Sequence, residues 1–297
     1  MKYAIIVDSS CGLTKEEANK KGWFYLPLHI IIDGKEYKDG IEINSNNLFQ
    51  FYKDNNDAKT SAINIGEAEE LFEQLSKEYD QIIVYPISQH LSGTYQMLNL
   101  LSQDFPKVRI VKSKQIVQLI VLDLLWLEKQ LSNDSSKLEE YLDFIENKGF
   151  RNSITLIPKY NKYLVKGGRL HPSAALVAKM FNIVPLITFS DGKLLKEGVG
   201  RVFKKTVLKN IASKSNFKLE NQNNELCYIY LHSNAKIEEQ NEIINEFSKI
   251  YNIKPLVHKI APVVSIHTGP EAYVAIVLEI NKELKEKLME FLNHINL

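Results

Sequence analysis

The sequence predicts an α/β protein of two domains: a parallel-sheet α/β/α domain followed by a mixed-sheet α+β domain. Three observations carry this. Short β-branched runs alternate with amphipathic stretches up to residue 149, the rhythm of βαβ units. Beyond residue 150 the rhythm changes, and strands sometimes follow one another directly, as in an α+β domain. The 297 residues are enough for two hydrophobic cores. The boundary is placed near Gly149, giving domains 1–149 and 150–297.

Residues 3–7 read as a central strand ending in Asp8-Ser9-Ser10, a trio that suits a turn with local side-chain bonds. Residues 13–22 read as a helix closed by Gly22, and 23–32 as strand running into the hairpin signal Asp33-Gly34. A short helix over 45–55 takes Ser45 as its cap. Asn64 and Glu67 have capping-box spacing, so a helix runs from there to Tyr79 and leaves Thr60 and Ser61 in a loop. Residues 82–87 form a buried strand, followed by Ser88-Gln89-His90-Leu91-Ser92-Gly93-Thr94 and a helix over 95–101. Residues 108–111 are a strand. The run 115–131 is apolar nearly all round and reads as a helix buried on most faces, either plain core or the wall of a ligand tunnel. Residues 135–148 form an amphipathic helix ended by Gly149.

In the second half, 154–157 is a strand, and Lys166-Gly167-Gly168-Arg169 follows a short polar segment. Residues 173–181 are helical, 183–189 a strand, and Gly200-Arg201 opens a basic helix with Lys204, Lys205 and Lys209. Residues 226–231 are a strand ending in His232-Ser233-Asn234, and 237–251 a helix. Residues 263–266 lead into His267-Thr268-Gly269-Pro270, then come a strand over 273–280 and a final helix.

Composition narrows the function. A formal net charge of +1 lacks the basic footprint of nucleic-acid binding. The apolar start is too short for a signal peptide, and 116–127, interrupted by Gln118 and Asp123, is too short to span a bilayer. Two cysteines, Cys11 and Cys227, give neither a disulfide framework nor metal spacing, so a reducing cytoplasm is expected. There is no phosphate loop, no Gly-x-Gly-x-x-Gly after a strand and no nucleophile elbow.

Polar or glycine-rich turns instead recur at predicted strand ends: Asp8-Ser9-Ser10, Thr60-Ser61, Ser92-Gly93-Thr94, Gly167-Gly168-Arg169, Gly200-Arg201 and His267-Thr268-Gly269. Ligands of open α/β sheets sit beyond the carboxyl ends of strands, and clefts between domains are favoured sites. The turn at 92–94 opens a helix, whose free N–H groups and dipole favour an anion; Gly93 admits a ligand to the backbone, and Ser92 and Thr94 add donors. Ser92 or Thr94 also suits a plain helix cap. A Ser92–His267 nucleophile and base is the enzymatic alternative, a hydrolase or transferase acting on a small anionic ester.

Taken together, these pieces resemble the DegV family of bacterial fatty-acid-binding proteins. The matching segments are Ile6-Val7-Asp8-Ser9-Ser10, Lys59-Thr60-Ser61, Ile87-Ser88-Gln89-His90-Leu91-Ser92-Gly93-Thr94-Tyr95, Tyr163-Leu164-Val165-Lys166-Gly167-Gly168-Arg169, Asp191-Gly192-Lys193, Gly200-Arg201 and Ile266-His267-Thr268-Gly269-Pro270. They keep family order over essentially the whole chain. The resemblance implies two domains around a buried long-chain fatty acid and no other cofactor. Its carboxylate-holding positions fall on Thr60, Ser61, Ser92, Gly93 and His267. Its head-group arginines fall on Arg169 and Arg201, expected to await a phosphate rather than hold the carboxylate or stand as solvated charges; Lys204, Lys205 and Lys209 suit either a kinase-docking face or a solvated basic face. It also implies a partner, an ATP-dependent fatty acid kinase; a lipid sensor without a kinase is the other non-enzymatic alternative. The chain departs from the family pattern at Lys112-Ser113-Lys114 and the bulky Gln115-Ile116-Val117-Gln118-Leu119-Ile120, where the family has an Asp-Ser pair, small residues and glycines, and again at His171-Pro172.

Overall fold

The computed structural model describes residues 2–172, 174 and 183–294. The chain divides into two compact units: Met1–Gly149 with Ala261–Val264, and Phe150–Ile260 with Ser265–Leu297.

The first unit begins with β1 (Tyr3–Asp8), whose last five residues are all buried, as a central parallel strand requires. α1 (Lys15–Lys20) starts at a reciprocal cap: the Glu17 amide donates to Thr14 Oγ1 at 3.3 Å and the Thr14 amide to Glu17 Oε2 at 2.6 Å. The predicted single strand over 23–32 is two, β2 (Phe24–Leu26) and β3 (His29–Ile32), in different sheets, because Pro27 lacks the N–H that a continuous ladder needs. Asp33-Gly34 then turns β3 into β4 (Lys35–Lys38) with φ of 51° and 82°, the left-handed pair of a tight hairpin.

The helix expected over 45–55 shrinks to α2 (Leu48–Phe51). Ser45 does not cap it; the local turn is held instead by Asn44 Oδ1, which accepts from the Asn46 and Asn47 amides. Thr60 and Ser61 are not in a loop. They end β5 (Ala58–Ser61), which pairs antiparallel with β3. α3 (Ile65–Glu78) is capped by Asn64 as expected, but the capping box is not closed, because Glu67 Oε1 takes Lys38 Nζ at 2.6 Å instead.

β6 (Gln81–Tyr85), α4 (Thr94–Leu101) and β7 (Val108–Ile110) follow. α5 (Gln118–Asn133) starts three residues later than expected, and eight successive residues, Gln118 to Leu125, are buried. The amphipathic stretch before Gly149 is broken into a tight turn at Ser135–Lys137, α6 (Leu138–Asp143) and a wide π-type turn at Phe144–Lys148. The main sheet has the order β2-β1-β6-β7, all parallel, and β4-β3-β5 forms a small antiparallel sheet of its own. In the main sheet the chain leaves β1 toward β2 on one side and returns to β6 on the other, so the order reverses between β1 and β6.

The second unit holds β8 (Asn152–Ile157), α7 (Asn161–Gly167), β9 (Val184–Ser190), β10 (Lys193–Gly200), α8 (Phe203–Ser213), β11 (Asn224–His232), α9 (Ile237–Tyr251), β12 (Leu256–Lys259), the part of α10 (Pro262–Thr268) from Ser265 on, β13 (Tyr273–Asn281) and α11 (Lys282–His294). The helix expected over 173–181 lies, Ala174 excepted, outside the described residues. β12 has no counterpart in the sequence reading. Its six-stranded sheet has the order β10-β9-β8-β13-β11-β12, antiparallel except for β11 with β12. One core forms around Tyr230, Tyr273, Phe247, Ile211 and Val277. Among the described residues, no helix is long and apolar enough to cross a membrane.

Candidate functional site

In the first unit, the carboxyl ends of β1 and β6 are joined by Asp8. Its carboxylate accepts from the Ser10 amide at 3.0 Å, the Ser10 hydroxyl at 2.5 Å and the Ile87 amide at 2.6 Å. Burial pushes its pKa up to about 6 even though these bonds pull it down. Asp8 therefore forms a buried tie between two strand ends, consistent with the turn reading of Asp8-Ser9-Ser10.

The stretch after β6 is held against residues 113–115: the Ser88 amide donates to the Gln115 carbonyl at 2.8 Å and the Gln89 amide to the Ser113 carbonyl at 3.0 Å. It delivers Ser92, half-buried, and Gly93, exposed, to the head of α4. Ser92 Oγ accepts the Thr94 amide at 3.2 Å and shares a hydrogen bond of 2.9 Å with Thr94 Oγ1. Neither Ser92 nor Thr94 is the N-cap: that position is Gly93, and Ser92 takes the first helical amide in a local turn, its hydroxyl keeping further bonding capacity for a ligand. Nothing lies within 4 Å of where a Cβ on Gly93 would stand, so the backbone there is open to approach.

Thr60 and Ser61 do not act as a pair. Successive strand residues point to opposite faces. Ser61 is opposite His29 and is exposed; Thr60 is opposite the buried Ile30 and is half-buried. Ser61 can join Thr60 in holding one group only through its backbone.

In the second unit, His267 comes from a helix, not from a strand end. Pro262 at the first helical position favours that start, and the β-branched Val263-Val264, which suggested a strand, lie inside the helix. Gly167-Gly168-Arg169 likewise ends α7, with Gly168 in the left-handed conformation at φ 67°. These two helix ends meet. A Cβ on Gly167 would stand 2.6 Å from His267 Nδ1, so only glycine lets the imidazole lie against this backbone. Gly269, at φ 77°, closes α10, and a Cβ there would overlap the Tyr163 ring.

Arg169 Nη1 donates to the Gly167 carbonyl at 2.7 Å. Burial first, and the Arg169 charge second, bring the His267 pKa down to about 3. At neutral pH His267 therefore offers a hydrogen bond and no charge, and Arg169 supplies the charge. Gly200 and Arg201 do not open the basic helix: Gly200 ends β10, and α8 begins at Phe203. A side chain at 200 would overlap Thr206, so glycine brings the strand end close to α8. Arg201, Lys204, Lys205 and Lys209 are all exposed, and Lys204 pairs with Glu242 at 2.6 Å.

Sequence reasoning missed two buried acids of the first unit, Asp39 and Asp123. Asp39 Oδ2 accepts the Val263 amide at 3.2 Å, and burial raises its pKa to about 8; Asp123 on α5 is raised to about 7. The available signal for Asp123 was an acid inside an otherwise apolar helix. Among the described residues, no group of three or more His, Cys, Asp or Glu is arranged to hold a metal ion.

Comparison with known proteins agrees with this architecture. The family profile described as "Uncharacterised protein, DegV family" matches residues 2–280. The chain belongs to the DegV family. A DegV domain-containing protein of Mycoplasmopsis pulmonis is 40% identical over 291 residues, covering 98% of this chain and 99% of that one. The crystal structure of DegV, a fatty acid binding protein from Bacillus subtilis, matches with TM-score 0.79 at 20% identity, over 94% of this chain and 99% of that one. A stearic-acid-binding protein from Eubacterium ventriosum matches with TM-score 0.75 at 23% identity, over 93% and 98%. The mixed α/β fold, with one parallel-sheet part and one mixed-sheet part, is the fold these proteins share.

Proposed function

We propose that this protein binds a long-chain fatty acid, holds it by its carboxylate, and presents that carboxylate to a separate ATP-dependent kinase that makes the acyl-phosphate for phospholipid synthesis. The observation that carries the reading is the pairing of His267 with Arg169: a neutral imidazole kept near 3 beside a guanidinium suits an anionic head group. Thr60, Ser92 and the open backbone at Gly93 are the proposed contacts of the first unit, with Ser61 contributing its amide. Domains 1–149 and 150–297, a cytoplasmic setting and the absence of catalysis by this chain belong to the same proposal. Arg201, exposed and followed by Lys205 and Lys209, is assigned to the phosphate or to the kinase surface, since arginine matches phosphate oxygens bidentately.

Magnitudes favour a binder of this kind. A buried methylene contributes roughly 0.8 kcal/mol, so an acyl chain of about sixteen carbons gains about 12 kcal/mol before ordering costs. A hydrogen bond to the charged carboxylate adds roughly 1.5–3 kcal/mol. The tail supplies most of the affinity, and the head-group residues fix register.

Organic extraction of the purified protein followed by mass spectrometry is expected to yield about one fatty acid per chain. Ser92→Ala is expected to weaken binding roughly tenfold to a hundredfold. A chain that carries no lipid and takes up none overturns the proposal. An unchanged Kd with a lowered Tm assigns Ser92 to the local turn with Thr94 alone, worth about 1 kcal/mol.

A further inference from the structure

The order reversal between β1 and β6 marks the crevice where open α/β sheets bind ligands, outside the carboxyl ends of the strands. Two polar side chains of α5 reach elements at or after these strand ends. Gln118 lies beside the turn that follows β1, its amide nitrogen 2.9 Å from where a Cβ on Gly12 would stand. Asp123 accepts the hydroxyl of Tyr85, the last residue of β6, at 2.5 Å. Tyr85, Asp123 and Gln118 are all at least nine-tenths buried.

Two buried acceptors are left unsatisfied. Asp123 Oδ1 and Gln118 Oε1 have no hydrogen bond among the described residues. A buried acceptor left in that state is strongly unfavourable, and native proteins pair such atoms with protein, water or ligand. Around them α5 is apolar: Leu119, Ile120, Val121, Leu122, Leu124 and Leu125 are all buried. A plain hydrocarbon tail would leave both oxygens unmet, whereas a hydroxyl, at once donor and acceptor, can meet either.

The geometry points to Asp123, supported by Tyr85, as a specificity-determining site for an acyl chain that carries a hydroxyl group partway along its length. This inference rests on the fatty-acid reading above and narrows it to a class of ligand. Burial holds the Asp123 carboxyl near 7, so it serves a ligand hydroxyl as donor or acceptor around neutral pH. An ordered water is the competing occupant, and it brings no preference among acyl chains.

The test compares stearic acid with a series of hydroxystearic acids whose hydroxyl is moved along the chain. A fixed polar partner gives a single favoured position, bound about tenfold or more tighter than stearic acid. Asp123→Leu removes that peak and keeps stearic acid binding; Asp123→Asn, which retains a polar amide, keeps part of it. If Asp123→Leu does not fold, the position series on the native chain and on Asp123→Asn decides. A flat series, or a peak that survives Asp123→Leu, overturns the inference while leaving fatty-acid binding intact. A folded native chain that binds neither stearic acid nor any isomer overturns the fatty-acid reading itself.

Discussion

The two units differ in the kind of acid or base whose pKa burial shifts most, although the first also buries His29 and the second the ion-paired Glu279. The first hides carboxyls: Asp8, Asp39 and Asp123 are fully enclosed, with pKa values raised by burial to about 6, 8 and 7. The second hides bases: His232, His258 and His267 are brought down by burial to about 4, 4 and 3, and Lys214 to about 8. In each case burial disfavours the charged form, and the type of residue decides which form that is. At neutral pH the imidazoles and most of Asp39 are neutral, whereas Asp8 is largely ionised, its charge held by the Ser10 and Ile87 hydrogen bonds.

This contrast gives the two units opposite responses to pH, the largest effect expected here. The three aspartates hold protons more tightly folded than unfolded. Their contribution is complete below the unfolded value near 4 and is lost as pH rises through about 6, 7 and 8. The three histidines hold protons less tightly folded. Their contribution is complete above the unfolded value near 6.5 and is lost as pH falls toward 4 and 3. Each group accounts for at most a few kcal/mol, since one pKa unit is about 1.4 kcal/mol.

Trp23 and Trp126, the two tryptophans of the chain, both lie in the first unit and report its unfolding. Tryptophan fluorescence in urea is expected to show that unit weakening from pH 5 to pH 8. Amide exchange in β11 and β13, corrected for intrinsic rates, is expected to show the second unit strengthening from pH 4.5 to 6.5. Both readouts moving in the same direction through pH 5–6.5 would remove the contrast.

What could be read from the sequence followed the range of the forces involved. α9 falls at 237–251, the predicted span, because its apolar stripe and flanking polar residues are local. Asp33-Gly34 and Asp191-Gly192 turned out as hairpins because the left-handed backbone they need is encoded in two residues. Thr60 and Ser61 went astray because Lys-Thr-Ser-Ala looks like a loop, and only the distant partner β3 makes it a strand. The meeting of Gly167 with His267 joins positions a hundred residues apart in sequence and carries no local signal. Which motifs sit at strand ends and which at helix ends was equally hidden: His267-Thr268-Gly269, expected at a strand end, lies at the end of a helix that begins at Pro262.

The head-group residues sharpen the comparison at the next level of effect. In the proposed function the second unit contributes the enclosed His267 imidazole beside Arg169, whereas the first offers two adjacent hydroxyls on opposite faces of β5. Thr60→Ala is expected to weaken fatty acid binding by about tenfold, the loss of one hydrogen bond to a charged group. Ser61→Ala is expected to leave the Kd unchanged, because the exposed side chain faces away and its amide remains. Calorimetric titration of both variants tests this, and equal losses would place the two hydroxyls on one ligand after all.

The smallest expected effect concerns backbone strain, where the units differ again. Asn252 ends α9 at φ 54°, ψ 32°, a left-handed cap that asparagine tolerates. Val117, at φ 51°, ψ −142°, precedes α5 in a region that β-branched residues avoid. It is held there by its amide, which donates to the Ser10 carbonyl at 2.9 Å, and by a buried side chain. Replacing it sets two quantities against each other. Val117→Ala loses the buried methyls and keeps most of the strain. Val117→Gly loses slightly more apolar surface and releases the strain, on the order of 1 kcal/mol or more. At an ordinary helical position glycine is the less stable of the two by about 0.5–1 kcal/mol. At 117 the order is expected to reverse, with the glycine variant about 1 kcal/mol more stable than the alanine variant in urea titration followed by tryptophan fluorescence. Asn252→Gly, by contrast, is expected to change stability by only a few tenths of a kcal/mol. Alanine proving the more stable at 117 would mean that the turn relaxes out of its left-handed backbone once the valine is gone, and that the bulky stretch from Gln115 to Ile120 is accommodated there without strain.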